Sequence, residues 1–178
     1  MKTLVVINSA CLEKYGKRLR DEKGDFKWDY IKIINNLTIT YAPLVEVLFF
    51  HPSYISEQKK KFYQVLDIEH SVKIVSAPIN RLGYNCKHCG EELDQYEHSI
   101  YDTTIACHVL LAIINGRYDV LRFVGLDRQD ISVVRAVRNY GVSVHADTFS
   151  KIQSIASKAN CSLGLDIIDD NIEDYIMR

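Results

Sequence analysis

Short apolar runs rich in Val, Ile and Leu alternate with helix-like segments along the chain, and this rhythm constrains the fold more than any other feature. The runs lie at residues 3–7, 44–50, 72–77, 119–125 and 142–146. Nearly continuous apolar runs are typical of parallel strands, which helices cover on both faces. Strands that alternate with helices through short connections predict an α/β fold, here a three-layer sandwich with a mainly parallel five-stranded sheet.

Most segments between the runs have helical spacing. Helices are predicted at residues 28–37, 54–66, 102–113, 131–140 and 149–159, and Trp28 is assigned to the core. The stretch 13–27 differs because it is polar and contains two glycines. It is predicted to be a mobile loop that follows the first strand.

The size of the chain suits one domain. At 178 residues and 47% hydrophobic content, it can bury a sizeable core without cross-links or metal, so a single domain over residues 1–178 is expected. Residues 78–101 break the rhythm with polar residues, glycines and a Cys-Lys-His-Cys-Gly turn at 86–90. This segment is predicted to be an insertion within the domain.

The composition also limits where in the cell the protein is expected. No apolar run approaches the roughly 18 residues of a membrane span, and the first residues turn polar too soon for a secretory signal. Five scattered cysteines do not resemble the dense framework of a small secreted protein. We therefore expect a soluble cytoplasmic protein without membrane contact. The net charge of −1 gives no general attraction to phosphate, so any RNA contact must come from local basic patches.

Polar side chains stand where a parallel sheet usually binds its ligands. Asn8 and Ser9 follow the first strand, Asp102 opens a helix, and Asp127 and Asp130 follow the fourth strand. Because the carboxyl ends of parallel strands meet at one edge, the three carboxylates could converge there. Clustered carboxylates suit Mg²⁺ or Mn²⁺, which can activate water and stabilise phosphoryl displacement. The alternative is that Asp102 and Asp130 are helix caps and Asp127 a turn residue.

Several segments resemble a known family in their order along the chain. Residues 7–12, Ile-Asn-Ser-Ala-Cys-Leu, are similar to the Ile-Asp-Gly-x-Asn-Leu opening of NYN domains, the PIN-like proteins of the LabA type. Later blocks of that family are matched by the Cys-x-x-Cys-Gly turn at 86–90, the Tyr101-Asp102 helix opening, the strand at 118–127 and the helix, glycine and strand at 135–144. The resemblance covers roughly residues 3–168 and implies a PIN-like Rossmannoid fold.

The resemblance implies a metal-dependent endoribonuclease that acts on RNA. Its catalytic acids would be Asp102, Asp127 and Asp130, and Mg²⁺ or Mn²⁺ would be bound by Asp102 and Asp127 with Asn8 as a weaker ligand. Asn8 departs from the family because it replaces an Asp, and a neutral amide lowers divalent-ion affinity. Cys11 replaces the family Asn, a usual Lys before the mid-chain Asp is absent, and one extra residue separates Asp127 from Asp130. The alternative function is a catalytically degenerate domain that binds RNA, a nucleotide or a protein partner without cleavage.

The cysteines suggest further hypotheses. Cys86 and Cys89 have zinc-knuckle spacing but supply two of the four ligands of a structural zinc site. The site could be completed by His88, His98, Cys107, His108 or a second subunit; the alternative is a reduced pair in a turn. A homodimer through this insertion is a related hypothesis. Cys11 could instead be a nucleophile with His108 or His145 as its base.

Basic residues near the first strand provide candidate RNA contacts. The candidates are Lys14, Lys17, Arg18, Arg20 and Arg128. Their place after a strand would let them overhang the cleft and bind a phosphate backbone. Acidic neighbours dilute the patch, so the alternative is an ordinary solvated surface.

Overall fold

The computed structural model describes residues 1–41, 44–85, 88–89, 92–97 and 99–177. The strands are β1 (Lys2–Asn8), β2 (Lys27–Trp28), β3 (Leu44–Pro52), β4 (Val72–Ala77), β5 (Asn80–Asn85), β6 (Glu92–Glu97), β7 (Val120–Val124), β8 (Ser143–Thr148), β9 (Gly164–Ile167) and β10 (Ile176–Met177). The α-helices are α1 (Ser9–Lys23), α2 (Tyr30–Tyr41), α3 (Glu57–His70), α4 (Ser99–Gly116), α5 (Ile131–Asn139) and α6 (Gln153–Ala156).

The main sheet is parallel and has the strand order β4-β3-β1-β7-β8-β9. Every neighbouring pair in it is parallel, as the apolar runs predicted, so the α/β class is confirmed. The sheet has six strands instead of the predicted five. The additional strand is β9, whose residues are all half-buried, so it lacks the apolar run that identified the others.

Alternate residues of the central strand enter two separate cores. Val5 and Ile7 pack with residues of α1, α2 and α3 on one face of the sheet. Leu4 and Val6 pack with residues of α4 and α5 on the other face. Because side chains alternate across a strand, one apolar run supplies both cores, and the structure is a three-layer α/β sandwich of the Rossmann-like kind.

The predicted mobile loop at residues 13–27 is wrong over most of its length, because α1 extends to Lys23. Asn8 caps this helix by accepting a hydrogen bond from the Cys11 backbone N–H at 3.1 Å. Leu12 and Leu19 face the core at helical spacing, while the remaining positions are largely charged and exposed. Because the apolar stripe of α1 is narrow, the sequence shows little helical periodicity in this segment. Trp28 is buried as predicted, but it lies in β2 and not in the following helix.

The segment at 78–101 contains an antiparallel hairpin of β5 and β6, which the sequence pattern did not predict. Its strands, Asn-Arg-Leu-Gly-Tyr-Asn and Glu-Leu-Asp-Gln-Tyr-Glu, are largely polar and lack the apolar run or period that identifies a strand. The 149–159 helix is also broken in the structure, where α6 lies between two short 3-10 turns. Within the described part of the chain, no helix combines the length and apolar content needed to cross a bilayer.

Candidate functional site

The sheet has one switch point, between β1 and β7, where the strand order reverses direction. From β1 the chain proceeds outward through β3 and β4, and from β7 it proceeds the other way through β8 and β9. The helices that follow these two halves lie on opposite faces, which leaves a crevice at the carboxyl ends of β1 and β7. Asn8 ends β1 and Gly125 directly follows β7, so both lie at this crevice.

Asn8 is almost fully buried, and its side-chain groups have internal partners. Its Oδ1 accepts from the Cys11 backbone N–H at 3.1 Å and from the Tyr101 hydroxyl at 3.2 Å. Its Nδ2 donates to Asp130 Oδ2 at 3.3 Å. The amide therefore serves as a structural link between β1, α4 and the segment after β7.

Asp127 and Asp130 form a capping box around the short 3-10 turn Arg128–Asp130. The backbone N–H of Asp127 donates to Asp130 Oδ2 at 2.9 Å, and the Arg128 backbone N–H donates to Asp127 Oδ1 at 2.8 Å. Capping of this kind satisfies helix-start N–H groups. The alternative interpretation makes Asp130 a helix cap and Asp127 a turn residue; in the structure both take part in capping this turn, with Asp127 at its N-cap position.

Gly125 permits the close approach of the two strand ends. It adopts φ +79, a left-handed conformation that favours glycine. A Cβ atom here would lie 2.9 Å from the backbone oxygen of Asn8. Hydrogen bonds from the Gly125 and Leu126 backbone N–H groups to the backbone carbonyl oxygen of Asp147, at 3.0 and 2.8 Å, fix the segment to β8.

The other two predicted acids act on the buried Asp130. Burial raises the pKa of Asp130 to about 7, and the charges of Asp102 and Asp127 add to the rise. The hydrogen bonds from the Asp127 backbone and Asn8 oppose it. Asp130 is thus held inside the protein and carries its proton up to nearly neutral pH.

Lys14, which is exposed on α1, places a positive charge beside this cluster. Its Nζ lies 2.8 Å from Asp127 Oδ2, and the Tyr15 hydroxyl donates to Asp127 Oδ1 at 3.2 Å. Partial burial opposes the charged form of Lys14, but the hydrogen bond and charge of Asp127 outweigh this and raise its pKa. The ammonium group therefore stays charged and offsets the Asp127 carboxylate.

A small cavity of about 40 Å³ joins the predicted residues at the crevice. Asn8, Cys11, Asp102 and Asp127 are among its lining residues, whereas the buried Asp130 is not. Asn8 and Asp127 already accept hydrogen bonds with their oxygens, and Lys14 supplies a positive charge. These residues fit a divalent ion poorly, because Asn8 carries no charge and the charge of Asp127 is already offset by Lys14.

A basic groove of about 400 Å³ adjoins this cavity and shares Lys14, Asp127 and Gln129 with it. The other residues of the basic groove are Tyr15, Arg18, Arg128, Lys151 and Ile152. Four basic side chains thus surround one carboxylate. Lys151 was missed in the sequence, since it follows β8 and only the fold brings it to α1.

Two other predicted RNA contacts do not line this groove. Arg20 lies 3.9 Å from Glu13 and its guanidinium lies over the Phe26 ring at 5.5 Å. Lys17 is exposed on α1. Arg18 is placed at the groove and also pairs with Glu22 at 2.9 Å.

The cysteine hypotheses receive little support. Burial and the nearby acids raise the pKa of Cys11 well above its usual value, so its thiol is a poor nucleophile. His145 lies 3.0 Å from Asp166, and His108 packs edge-on against Phe50. For the zinc prediction, Cys86 and His98 lie outside the described residues, while Cys89 and Cys107 are exposed.

A second polar cluster, unpredicted from the sequence, lies on the face of the sheet covered by α2. Arg122 bonds both Asp147 and Asp166, the latter at 3.0 Å, and His145 also contacts Asp166. Burial raises the pKa of Asp147 to about 7 against the opposing effect of Arg122. A cleft of about 600 Å³ adjoins these side chains. The sequence feature that could have indicated this cluster is an arginine in the middle of an apolar strand.

This Arg122 cluster supplies the one group of three potential metal ligands that lie within 4.8 Å of one another among the described residues: His145, Asp147 and Asp166. The guanidinium of Arg122 contacts both carboxylates, which makes the place unfavourable for a second cation. Burial and the Arg122 charge also lower the pKa of His145. The cluster is best described as an ion-pair network that ties β7, β8 and β9 together.

Comparison with known proteins adds information on the fold. Neither a family model nor a curated protein matches the chain significantly. A solved structure of a protein of unknown function from Vibrio parahaemolyticus matches with a TM-score of 0.64 and 14% identity, covering 99% of this chain and 96% of that one. Phosphofructokinase-2 from Escherichia coli in complex with potassium gives a TM-score of 0.42 at 13% identity, covering 70% of this chain and 42% of the enzyme. The chain is therefore similar in fold to the Vibrio protein over nearly its full length.

Proposed function

We propose that this chain is a PIN-like domain of the NYN type that binds single-stranded RNA at the switch-point crevice without cleaving it. The basic groove beside the crevice carries the proposal. Lys14, Arg18, Arg128 and Lys151 surround it, although the whole chain has a net charge of −1. A local concentration of cations is what a phosphate backbone requires.

Other groups in the groove suit the rest of a nucleotide. The Tyr15 ring stacks on Phe149 with a centroid distance of 4.8 Å, which supports a rigid aromatic surface at the groove. Aromatic rings and arginine planes stack on bases with little sequence preference. Gln129 offers both a donor and an acceptor. This combination favours RNA over an isolated phosphate.

The absence of cleavage is proposed because two of the three positions that the family would use for metal, Asn8 and Asp127, are committed to partners within the protein. Asn8 is neutral and is linked to Tyr101 and Asp130. Asp127 is paired with Lys14. In the proposed role, Lys14 offsets the Asp127 charge and lets the phosphate backbone approach the crevice.

The proposal is tested by RNA binding to charge-reversal variants. We expect Arg128→Glu and Lys151→Glu each to weaken binding of a fluorescent single-stranded RNA by about tenfold or more, with a shallower salt dependence. The control is Lys61→Glu, since Lys61 is exposed on α3 and lines neither the cavity nor the groove. Unchanged RNA binding in both groove variants would reject the site and direct attention to a nucleotide or protein partner.

The second candidate is metal-dependent RNA cleavage. It is favoured by the presence of Asp102 and Asp127 at the same cavity. The test is cleavage of a labelled RNA pool with Mn²⁺, with EDTA and with the variants Asp127→Asn and Asn8→Asp. Cleavage by the natural protein that EDTA and Asp127→Asn abolish would establish this candidate, whereas activity only after Asn8→Asp would support the binding role. In both candidate functions, the chain is a single domain that acts in the cytoplasm.

A further inference from the structure

Helix α4 has an outer surface that is unusually apolar. Asp102 is the one charged residue in its sequence, Ser-Ile-Tyr-Asp-Thr-Thr-Ile-Ala-Cys-His-Val-Leu-Leu-Ala-Ile-Ile-Asn-Gly. A helix that covers a sheet normally presents charged residues to water. Here Ile100, Leu111 and Ile114 are 45%, 57% and 53% exposed. The outer surface of α4 therefore has the composition of a contact surface.

Four exposed residues and the half-buried Thr104 form a regular stripe, which we call the α4 seam: Ile100, Thr104, Cys107, Leu111 and Ile114. Successive members are alternately four and three residues apart. This is the spacing by which helices pair in coiled coils. The opposite stripe, with Ile105 and Val109, is buried against the sheet. The seam is therefore separate from the contacts that hold α4 in the fold.

The seam contains both halves of a complementary contact. A shallow groove of about 400 Å³ is lined by Ile100, Thr103, Thr104, Cys107 and His108. The first four of these residues have the arrangement of a hole that accepts one side chain from a facing helix. Leu111, the most exposed of the large seam residues, is a suitable side chain to fill such a hole.

The two isoleucines at the ends of the seam are equidistant from Cys107, which lies seven residues from both Ile100 and Ile114. Two antiparallel copies of α4 related by a two-fold axis near Cys107 would place Leu111 of the partner subunit over Thr103 and Thr104. They would also place Ile114 of the partner subunit against Ile100. A symmetric dimer requires one patch that is complementary to itself, and this arrangement meets that requirement.

We propose that the α4 seam is a homodimer interface in which two copies of the chain pair α4 antiparallel about Cys107. The seam lacks charges that would select a different partner, whereas an identical copy supplies both the side chain and the hole. The seam has five residues in each subunit, against roughly 20 to 30 on each side of a standard interface, so the dimer is expected to dissociate at micromolar concentration. This interface is distinct from the crevice and from the cysteine-bearing insertion.

Sedimentation velocity over micromolar to hundreds of micromolar protein tests the interface. Leu111→Glu is expected to raise the dimer dissociation constant by about tenfold or more, because it places a charge in an apolar hole. Ile68→Glu is the control, since Ile68 is 80% exposed on the distant helix α3. Thermal unfolding of each variant verifies that it folds. A natural protein that stays monomeric throughout would overturn the proposal.

Thiol cross-linking tests the position of the two-fold axis. In a variant with Cys86 and Cys89 replaced by Ser, a short bismaleimide is expected to join two copies through Cys107, which is exposed. Adding Cys107→Ser should abolish the covalent dimer, and adding Leu111→Glu should greatly reduce it. A dimer that is insensitive to Leu111→Glu and is not cross-linked at Cys107 would assign the contact to another surface.

Discussion

Asp130 is the residue whose environment most clearly links the crevice to stability. It is 1% exposed, and burial raises its pKa to about 7 from an ordinary value of 3.8. Between these two pH values the folded protein holds the proton more tightly than the unfolded chain does. The free energy of unfolding should therefore fall as the pH rises from about 4 to 7.

Asp130→Asn is expected to remove this pH dependence, because Asn can accept the Asp127 N–H bond and has no charge to bury. We expect the natural protein to lose roughly 2 to 4 kcal/mol relative to the variant between pH 4 and pH 8. Urea unfolding of both proteins across that range measures the difference, which isolates Asp130 from the other titrating groups. A difference that stays constant with pH would contradict the assignment.

Asn8→Asp tests whether the amide excludes metal from the crevice. The substitution removes the 3.3 Å bond from Asn8 Nδ2 to Asp130 and places two carboxyl groups in contact. We expect a loss of about 1 to 3 kcal/mol of stability at pH 8, partly restored by Mn²⁺. Thermal unfolding with and without Mn²⁺ measures this. Equal stabilisation of the natural protein by Mn²⁺ would show that Asn8 does not limit metal binding.

The sequence identified the crevice residues but not their bonds. Asn8, Asp102 and Asp127 could be placed together because strand ends of a parallel sheet meet at one edge. The commitment of Asn8 to Tyr101, and of Asp127 to Lys14, depends on how α4 and α1 pack beside that edge. Such contacts between distant segments have no local sequence signal.

At the level of elements, Gly125 determines how closely the ends of β1 and β7 approach. Gly125→Ala places a side chain at a residue with a positive φ. The added Cβ atom would lie 2.9 Å from the backbone oxygen of Asn8. Gly141→Ala is a matched control, because Gly141 has a similar φ of +81 and no atom within 4 Å of the added Cβ. We expect about 1 kcal/mol of destabilisation at Gly141 and about 1 to 3 kcal/mol more at Gly125. Equal losses in denaturant unfolding would contradict a close contact.

Elements with a strong apolar period could be predicted, and those without one could not. The strand at 72–77 agrees with β4 at both ends. Helix α1 was mistaken for a loop because charged residues occupy most of its turns. The hairpin of β5 and β6 has charged strand residues, and β9 is short and half-buried. In these cases tertiary contacts, and not local pattern, determine the structure.

At the scale of the whole molecule, the Arg122 cluster holds the β9 side of the sheet to its centre. Arg122→Met leaves the fully buried Asp147 without its charge partner. We expect a loss of about 3 to 5 kcal/mol in the free energy of unfolding, and partial recovery in Arg122→Met with Asp147→Leu. Arg135→Met, at an exposed position of α5, is the control. A loss of less than about 1 kcal/mol in Arg122→Met would reject the network as a structural tie.

Net charge also hides the distribution of charge over the molecule. A formal charge of −1 gave no indication of RNA binding. The fold gathers Lys14 and Arg18 of α1, Arg128 after β7 and Lys151 after β8 around one groove. Three of these residues were candidates from the sequence because they follow strands, but their convergence required the order of strands in the sheet.

The central claim is that the crevice holds RNA without cutting it. The most direct test follows the fluorescence anisotropy of an end-labelled single-stranded RNA over time after the natural protein is added in Mn²⁺. Our account predicts a rise in anisotropy that then remains constant, and a smaller rise with Arg128→Glu. A rise followed by a fall below the value of the free RNA would show cleavage, and no rise would show that RNA is not the ligand; either result would contradict the account.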